Sequence, residues 1–142
     1  MLATAIRIAS QAFEKKLDKG GMPFIMHALY VMHKVKHLGE IAMTCAALHD
    51  VVEDCEKEGY TFDYLRKEGI SEECIVILKL LTHDPNVPYM DYIRNLAFHP
   101  LAKEIKKADL EHNTKVSRMK SLRQKDFDRL QMYCTAYTYL KD

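Results

Sequence analysis

The 142-residue sequence lacks the features that mark membrane, secreted and nucleic-acid-binding proteins. No apolar run approaches the roughly 18 residues that a membrane-spanning helix needs, and the amino-terminal stretch has no apolar core typical of a signal peptide. The formal net charge is only +1, from 21 basic and 20 acidic residues, and no long basic tract is present. Since nucleic-acid binding usually requires a basic surface, we expect neither a membrane nor a nucleic-acid partner.

The chain also lacks a CxxC pair, because its four cysteines are widely spaced. This usage favours reduced thiols in the cytosol over a disulfide framework or a structural zinc site, so we expect a soluble, cytoplasmic protein. Apolar residues make up 48% of the sequence, with charged residues mixed among them. The length and this composition suit one domain, residues 1–142, with a substantial core.

Apolar residues recur at three- and four-residue steps along most of the chain, which predicts an all-α protein without strands. Gly20-Gly21 ends the first helix, Thr61 and Ser71 are candidate helix caps, and the segment HDPNVP is a break. About eight helices are therefore expected, covering a first helix from residue 2 and then 24–37, 41–54, 61–69, 71–81, 89–98, 100–116 and 127–140.

The segment ALHDVVED crowds a histidine and three acids into six positions, namely His49, Asp50, Glu53 and Asp54. Because residues four apart share a helix face, His49 is expected above Glu53 and Asp50 above Asp54. The acids then lie at the carboxyl-terminal end of the helix, where its dipole disfavours negative charge. A bound divalent cation would offset this repulsion. A solvated helix end explains the segment equally well.

Two distant residues favour the cation. His27 lies on an apolar helix, where a histidine is often a satisfied core residue rather than a ligand. Asp109 lies inside an amphipathic helix, where a buried acid needs a partner, and no arginine is near it in sequence. A metal shared with His49 and Asp50 would satisfy both residues.

This order of residues, H…HD…D with ED two residues after the HD pair, resembles the HD-domain metal-dependent phosphohydrolases. It is most similar to the hydrolase domain of RelA/SpoT-type proteins and their small stand-alone relatives. The similarity extends from about residue 6 to residue 119 and is carried by the segments DKGGMPFIMH, AALHDVVED, LLTHD, YMDYI and KKADLEHNT. It implies a single compact HD-domain helical bundle.

The resemblance also implies roles for individual side chains. The implied ligands of a divalent metal, most often Mn²⁺ in this family, are His27, His49, Asp50 and Asp109. Glu53 and Asp54 match the acidic pair that positions and activates the attacking water, and Asn113 matches a nucleotide contact. The separate roles of the two acids stay open.

Three further residues are candidate substrate contacts. Tyr89 could stack on a base or reach a phosphate, or it could pack in the core. Lys106 could meet a phosphate, or it could belong to a solvated helix face. Lys16 stands where RelA/SpoT-type hydrolase domains often carry an Arg-Lys pair, whose second position here is Leu17.

Other polar residues match no ligand position of the family. His83-Asp84 forms a second HD dipeptide, but Pro85 follows it and no acidic pair lies beyond it, so it is interpreted as a capping and loop pair. The remaining histidines are expected at the surface or at the edge of the core; they are His33, His37, His99 and His112.

The resemblance implies hydrolysis of the 3′-pyrophosphate of guanosine tetraphosphate (ppGpp) to GDP and pyrophosphate by metal-activated water. Because Leu17 removes one basic group, another phosphorylated nucleotide, such as a nucleoside monophosphate or NADPH, stays open as the substrate. A non-catalytic nucleotide-binding protein and a purely structural helical protein are further alternatives. If the protein is a hydrolase or a nucleotide-binding protein, its partner is a small-molecule nucleotide. Formation of a homo-oligomer stays open.

Overall fold

The computed structural model describes residues 1–142, and its regular elements are all helices, apart from one isolated antiparallel bridge between Leu17 and Pro23. The expected all-α class is therefore confirmed. No helix combines the length and the apolar character that a membrane crossing requires. The α-helices are α1 (Leu2–Ala12), α2 (Ile25–Lys34), α3 (Glu40–Leu48), α4 (Val51–Cys55), α5 (Phe62–Lys67), α6 (Glu72–Leu81), α7 (Tyr89–Leu96), α8 (Pro100–Asn113) and α9 (Gln124–Lys141).

Local sequence signals account for several helix boundaries. The Thr61 hydroxyl accepts a hydrogen bond from the backbone N–H of Tyr64, and the Ser71 hydroxyl accepts one from that of Cys74. Each hydroxyl satisfies a donor at the start of its helix, as predicted. Several boundaries differ from expectation, since α1, α2, α7 and α8 end earlier than predicted and α9 begins earlier. The predicted loop after Cys55 also contains the 3₁₀ turn Glu56–Glu58.

The predicted helix over 41–54 is interrupted at His49-Asp50. Helix α3 ends at Leu48 and α4 begins at Val51. The Nδ1 atom of His49 lies 2.6 Å from the carbonyl oxygen of Ala46, the acceptor that a continuous helix would offer to the N–H of Asp50. A side chain that bonds the preceding turn competes with the helix ladder. The acids that follow thus lie in the first turn of α4, not at a helix end that repels them.

Helix α3 is the centre of the bundle and packs against α1, α2, α6 and α8. Its small buried residues, among them Ala42, Ala46 and Ala47, allow neighbouring helices to approach closely. Helix α8 packs between α2 and α9 and also contacts α6. The end of α3 and the middle of α8 therefore meet beside α2, where the polar residues predicted from the sequence collect.

Candidate metal centre

Four side chains from three parts of the chain converge at this junction. His27 comes from α2, His49 and Asp50 form the turn between α3 and α4, and Asp109 comes from α8. One nitrogen or oxygen atom from each lies within 4.8 Å of those of the other three. The structure thus brings together the complete set of predicted ligands, and this group could hold a metal ion.

The four groups alternate between imidazole and carboxylate. Oδ1 of Asp109 lies 2.9 Å from Nε2 of His27 and 3.4 Å from Nε2 of His49. Oδ2 of Asp50 lies 3.0 Å from Nε2 of His49 and 3.5 Å from Nε2 of His27. Both histidines therefore present Nε2 to the same small space, and each nitrogen is flanked by two carboxylate oxygens.

The donor set fits a divalent cation. Nε2 of His49 is buried and makes no hydrogen bond, although an oxygen of Asp50 lies 3.0 Å away. Buried polar atoms are almost always satisfied, so this atom lacks a partner that a cation would supply. Mixed imidazole and carboxylate ligands suit Mn²⁺, Fe²⁺ or Zn²⁺.

The electrostatics of the site also favour a cation. Burial would lower the pKa of His49, but the charges of Asp50 and Asp109 raise it well above its ordinary value. Burial likewise opposes protonation of His27, and the hydrogen bonds to the same two acids raise its pKa. The two carboxylates thus stabilise positive charge between them. A divalent cation would compete with protons for these nitrogens.

Asp109 has a partner that was not predicted from the sequence. Nζ of Lys106 donates to Oδ2 of Asp109 at 2.8 Å, and the lysine side chain is only 13% exposed. The alternative of a solvated lysine at this position is therefore excluded, because α8 directs Lys106 inward over the ring of Tyr92. Burial alone would raise the pKa of Asp109, but Lys106 and the histidines hold it well below its ordinary value.

The two carboxylates of the acidic pair, Glu53 and Asp54, bind different partners. Oδ2 of Asp54 accepts a hydrogen bond from Nζ of Lys16 at 2.6 Å, and Oε1 of Glu53 accepts one from the backbone N–H of His83 at 2.7 Å. Loss of hydration raises the pKa of both carboxyls, and the negative charge of Asp50 adds to the effect. Only Asp54 lines the cavity next to the cluster.

This cavity has a volume of about 470 Å³, within the range of small-molecule sites. His27, Asp50 and Asp54 form part of its wall, and so does Asn113, whose amide donates to Oδ1 of Asp109 at 2.8 Å. Basic side chains also line it, as phosphate binding requires, and they are Lys16, Lys19, Arg118 and Arg129. Among these four, only Lys16 was a predicted substrate contact.

Two predicted substrate contacts, Tyr89 and Lys106, are not part of the cavity wall. The Tyr89 hydroxyl is buried without a hydrogen-bond partner, and its ring lies 6.0 Å from that of Tyr133, which does line the cavity. The second HD pair forms a local loop, as expected. Nε2 of His83 contacts the carbonyl oxygen of Val87, and Oδ1 of Asp84 accepts from the N–H of Asn86.

His112 lies beside the site, although no ligand motif marks it. Its Nδ1 atom is 2.7 Å from Nδ1 of His27. One feature of the sequence could have placed His112 at the site. It follows Asp109 by three residues, so the two side chains lie on one face of α8. From the sequence, His112 was expected only at the surface or the core edge.

No family model and no curated protein matches the sequence. Among solved structures, the fold is similar to that of a protein described as a metazoan orthologue of SpoT that hydrolyses ppGpp and plays a role in starvation responses. The TM-score is 0.79 at 20% sequence identity, and the match covers 98% of this chain and 84% of that chain. The helical fold implied by the resemblance to RelA/SpoT-type hydrolase domains is therefore confirmed.

Proposed function

We propose that this chain is a metal-dependent phosphohydrolase that converts ppGpp to GDP and pyrophosphate. The observation that carries the proposal is the convergence of two histidines and two aspartates beside a cavity that basic residues line. The turn His49-Asp50 supplies one histidine and one aspartate of this group. The motif resemblance and the described activity of the structural neighbour support ppGpp as the substrate.

The residues that would hold the metal are His27, His49, Asp50 and Asp109. Nitrogen and oxygen donors in this ratio, with the unsatisfied Nε2 of His49, support a first-row divalent ion, and the family resemblance favours Mn²⁺. When bound, such an ion neutralises phosphate charge and lowers the pKa of water.

Asp54 is the proposed acceptor of the proton from the attacking water. Its carboxylate faces the cavity, and its raised pKa brings it closer to neutral pH, where a general base works best. Glu53 is the proposed orienting acid, because its hydrogen bond from the N–H of His83 fixes its direction. The water oxygen bonds to the phosphorus attached to the 3′ oxygen, that P–O bond breaks, and the 3′ oxygen takes up a proton.

The proposed substrate contacts are Asn113 and Lys16, whose polar groups lie at the cavity. Tyr89 and Lys106 stay predictions as contacts, and a phosphate that reached Lys106 would compete with Asp109 for its ammonium. The uncharged Leu17 also lines the cavity and is 62% exposed.

The test is a turnover assay of the purified chain with Mn²⁺ against ppGpp, GMP and NADPH, with identification of the products. We expect GDP and pyrophosphate from ppGpp, no turnover by Asp50→Ala, and full turnover by Asp84→Ala, which alters the loop HD pair instead. Tight binding without turnover would establish the non-catalytic alternative. Release of phosphate from NADPH or GMP alone would move the proposal to another nucleotide.

A further inference from the structure

We propose that His112 is a positioning residue that keeps the hydrogen of the His27 ring on Nδ1, so that Nε2 presents its lone pair to the metal. The proposal rests on the proposed role of His27 as a ligand. It concerns a residue that matches no ligand position in the sequence.

The two imidazoles meet edge to edge. Their planes are inclined by only 11° and their centroids are 5.0 Å apart, while the two Nδ1 atoms are 2.7 Å apart. A contact this short is closer than stacked rings allow, so the rings lie side by side in nearly one plane. This is the arrangement of a hydrogen bond between nitrogens, in which the lone pair of one ring faces the N–H of the other.

One hydrogen atom must occupy the contact between two neutral rings, since two would clash and none would leave two lone pairs opposed. If His27 carries it, Nε2 of His27 is free to bind a cation. If His112 carries it, Nε2 of His27 holds a hydrogen and cannot be a ligand. Without an ion, Nε2 of His27 lies 2.9 Å from Oδ1 of Asp109, which can only accept, so a cation must displace a hydrogen from this nitrogen. Once the cation is bound, the metal site requires His112 to accept at Nδ1.

His49 shows the same arrangement with a simpler acceptor. Its Nδ1 atom faces the carbonyl oxygen of Ala46, which can only accept, so the hydrogen of His49 lies on Nδ1 and Nε2 is free. His112 therefore gives the Nδ1–H group of His27 a hydrogen-bond acceptor, as the backbone carbonyl of Ala46 does for His49. Such outer partners commonly orient metal-binding histidines.

The position of the His112 ring is fixed from two sides. Its other contact is a stack on Tyr30 of α2, with centroids 4.0 Å apart and planes inclined by 15°. Nη1 of Arg118 donates to the backbone oxygen of His112 at 3.0 Å. His112 also follows Asp109 by one turn of α8, so a single helix places both a proposed ligand and the group that orients another.

The proposal is tested with His112→Leu and His112→Asn in the full chain. Asparagine places an oxygen acceptor near the position of Nδ1, whereas leucine of similar size offers none. Mn²⁺ affinity is measured by competition with a chelator, with His33→Leu, an exposed histidine of α2, as the control. We expect His112→Leu to bind Mn²⁺ roughly 10–100-fold more weakly, with His112→Asn and His33→Leu close to the wild-type protein.

Equal affinity in all four proteins, or an equal loss in the leucine and asparagine variants, would overturn the positioning role while leaving the metal site intact. A wild-type protein that binds no Mn²⁺ would overturn the role and the metal site together. Thermal unfolding in the presence of a chelator shows whether each variant is folded.

A second measurement needs no variant. In wild-type protein with isotope-labelled histidine and bound Zn²⁺, a diamagnetic probe, NMR should find the His27 hydrogen on Nδ1 and the His112 hydrogen on Nε2. A hydrogen on Nδ1 of His112 would contradict the proposal, even if the His112 variants did not fold.

Discussion

The ammonium group of Lys106 lies 2.8 Å from Oδ2 of Asp109, one turn apart on α8, and both side chains are almost completely removed from solvent. The other oxygen of the same carboxylate faces Nε2 of both histidines. Lys106 therefore divides the carboxylate of Asp109 into one oxygen that it occupies and one that faces the candidate metal site.

Removal of this lysine charge should strongly destabilise the protein. Lys106→Met leaves Asp109 with a buried charge that lacks its main partner, which costs about 3–5 kcal/mol of unfolding free energy. Urea denaturation in the presence of a chelator measures the loss. Lys107→Met is the matched control, because Lys107 pairs with the more exposed Glu104, and such pairs contribute about 0–1 kcal/mol. An equal effect of both substitutions would contradict the assigned role of Lys106.

Divalent metal should stabilise the fold. At a free Mn²⁺ concentration about 100 times Kd, a ligand that binds only the native state adds about 2.7 kcal/mol, which thermal unfolding detects as a higher Tm. Asp109→Asn should abolish the shift, because it removes one of the four converging groups. Asp84→Asn, in the loop HD pair, should retain it. A shift that survived Asp109→Asn would place the ion elsewhere.

Lys16 should set the pH range of activity. Burial and the charge of Asp50 raise the pKa of Asp54, whereas the Lys16 ammonium 2.6 Å away opposes them. Lys16→Met therefore raises the pKa of Asp54 further. Because a general base must be ionised, the acidic limb of the pH–kcat profile should move to higher pH.

The exposed neighbour Lys15 provides the control, since Lys15→Met changes the same net charge without touching Asp54. An unmoved acidic limb in Lys16→Met would show that another group is the base. A shift of equal size in both variants would show a general effect of net charge.

Asp18 should contribute stability that disappears in acid. Its Oδ1 atom accepts hydrogen bonds from the N–H groups of Gly20 and Met22, and its Oδ2 atom accepts from Arg118. Burial would raise the pKa of Asp18, but these hydrogen bonds lower it below 3.8. The contribution is therefore complete above the unfolded-state pKa and is lost as pH falls through the lower folded-state value.

Asp18→Ala should cost about 1–3 kcal/mol at neutral pH, because it leaves these donors without their acceptor. The difference from wild type should shrink in the most acidic range where the protein still folds. Denaturation curves at several pH values measure it, with the exposed Asp128→Ala as control. A difference that does not change with pH would contradict the assigned ionisation of Asp18.

Much of the fold follows from apolar spacing and helix caps, as Thr61 and Ser71 illustrate. The break after Leu48 could not be predicted this way, because ALHDVVED contains neither glycine nor proline and its spacing suits an unbroken helix. The break accompanies the contact of the His49 ring with the Ala46 carbonyl, which depends on where the neighbouring helices hold that ring.

Residues of the candidate site could be predicted where the order of histidines and aspartates along the chain matches a known motif, as for His27 and Asp109. The contacts of Lys106 with Asp109 and of His112 with His27 were not predicted, because they depend on how the helices pack. The spacing of Lys106 and His112 from Asp109 places all three on one side of α8, but nothing local indicates that α2 and α9 cover that side. The same reason explains why Arg118 and Arg129 were not singled out as part of the cavity wall.

The assembly of the site from α2, the turn after α3, and α8 has a kinetic consequence. His49 and Asp50 are neighbours, but Asp109 reaches them only after the long intervening segment has closed into a loop. The chain loses the entropy of loop closure before such contacts can stabilise it. An ion held by all four groups therefore cannot bind strongly before α8 has docked. Its stabilisation should appear mainly as slower unfolding, with the rate of folding little changed.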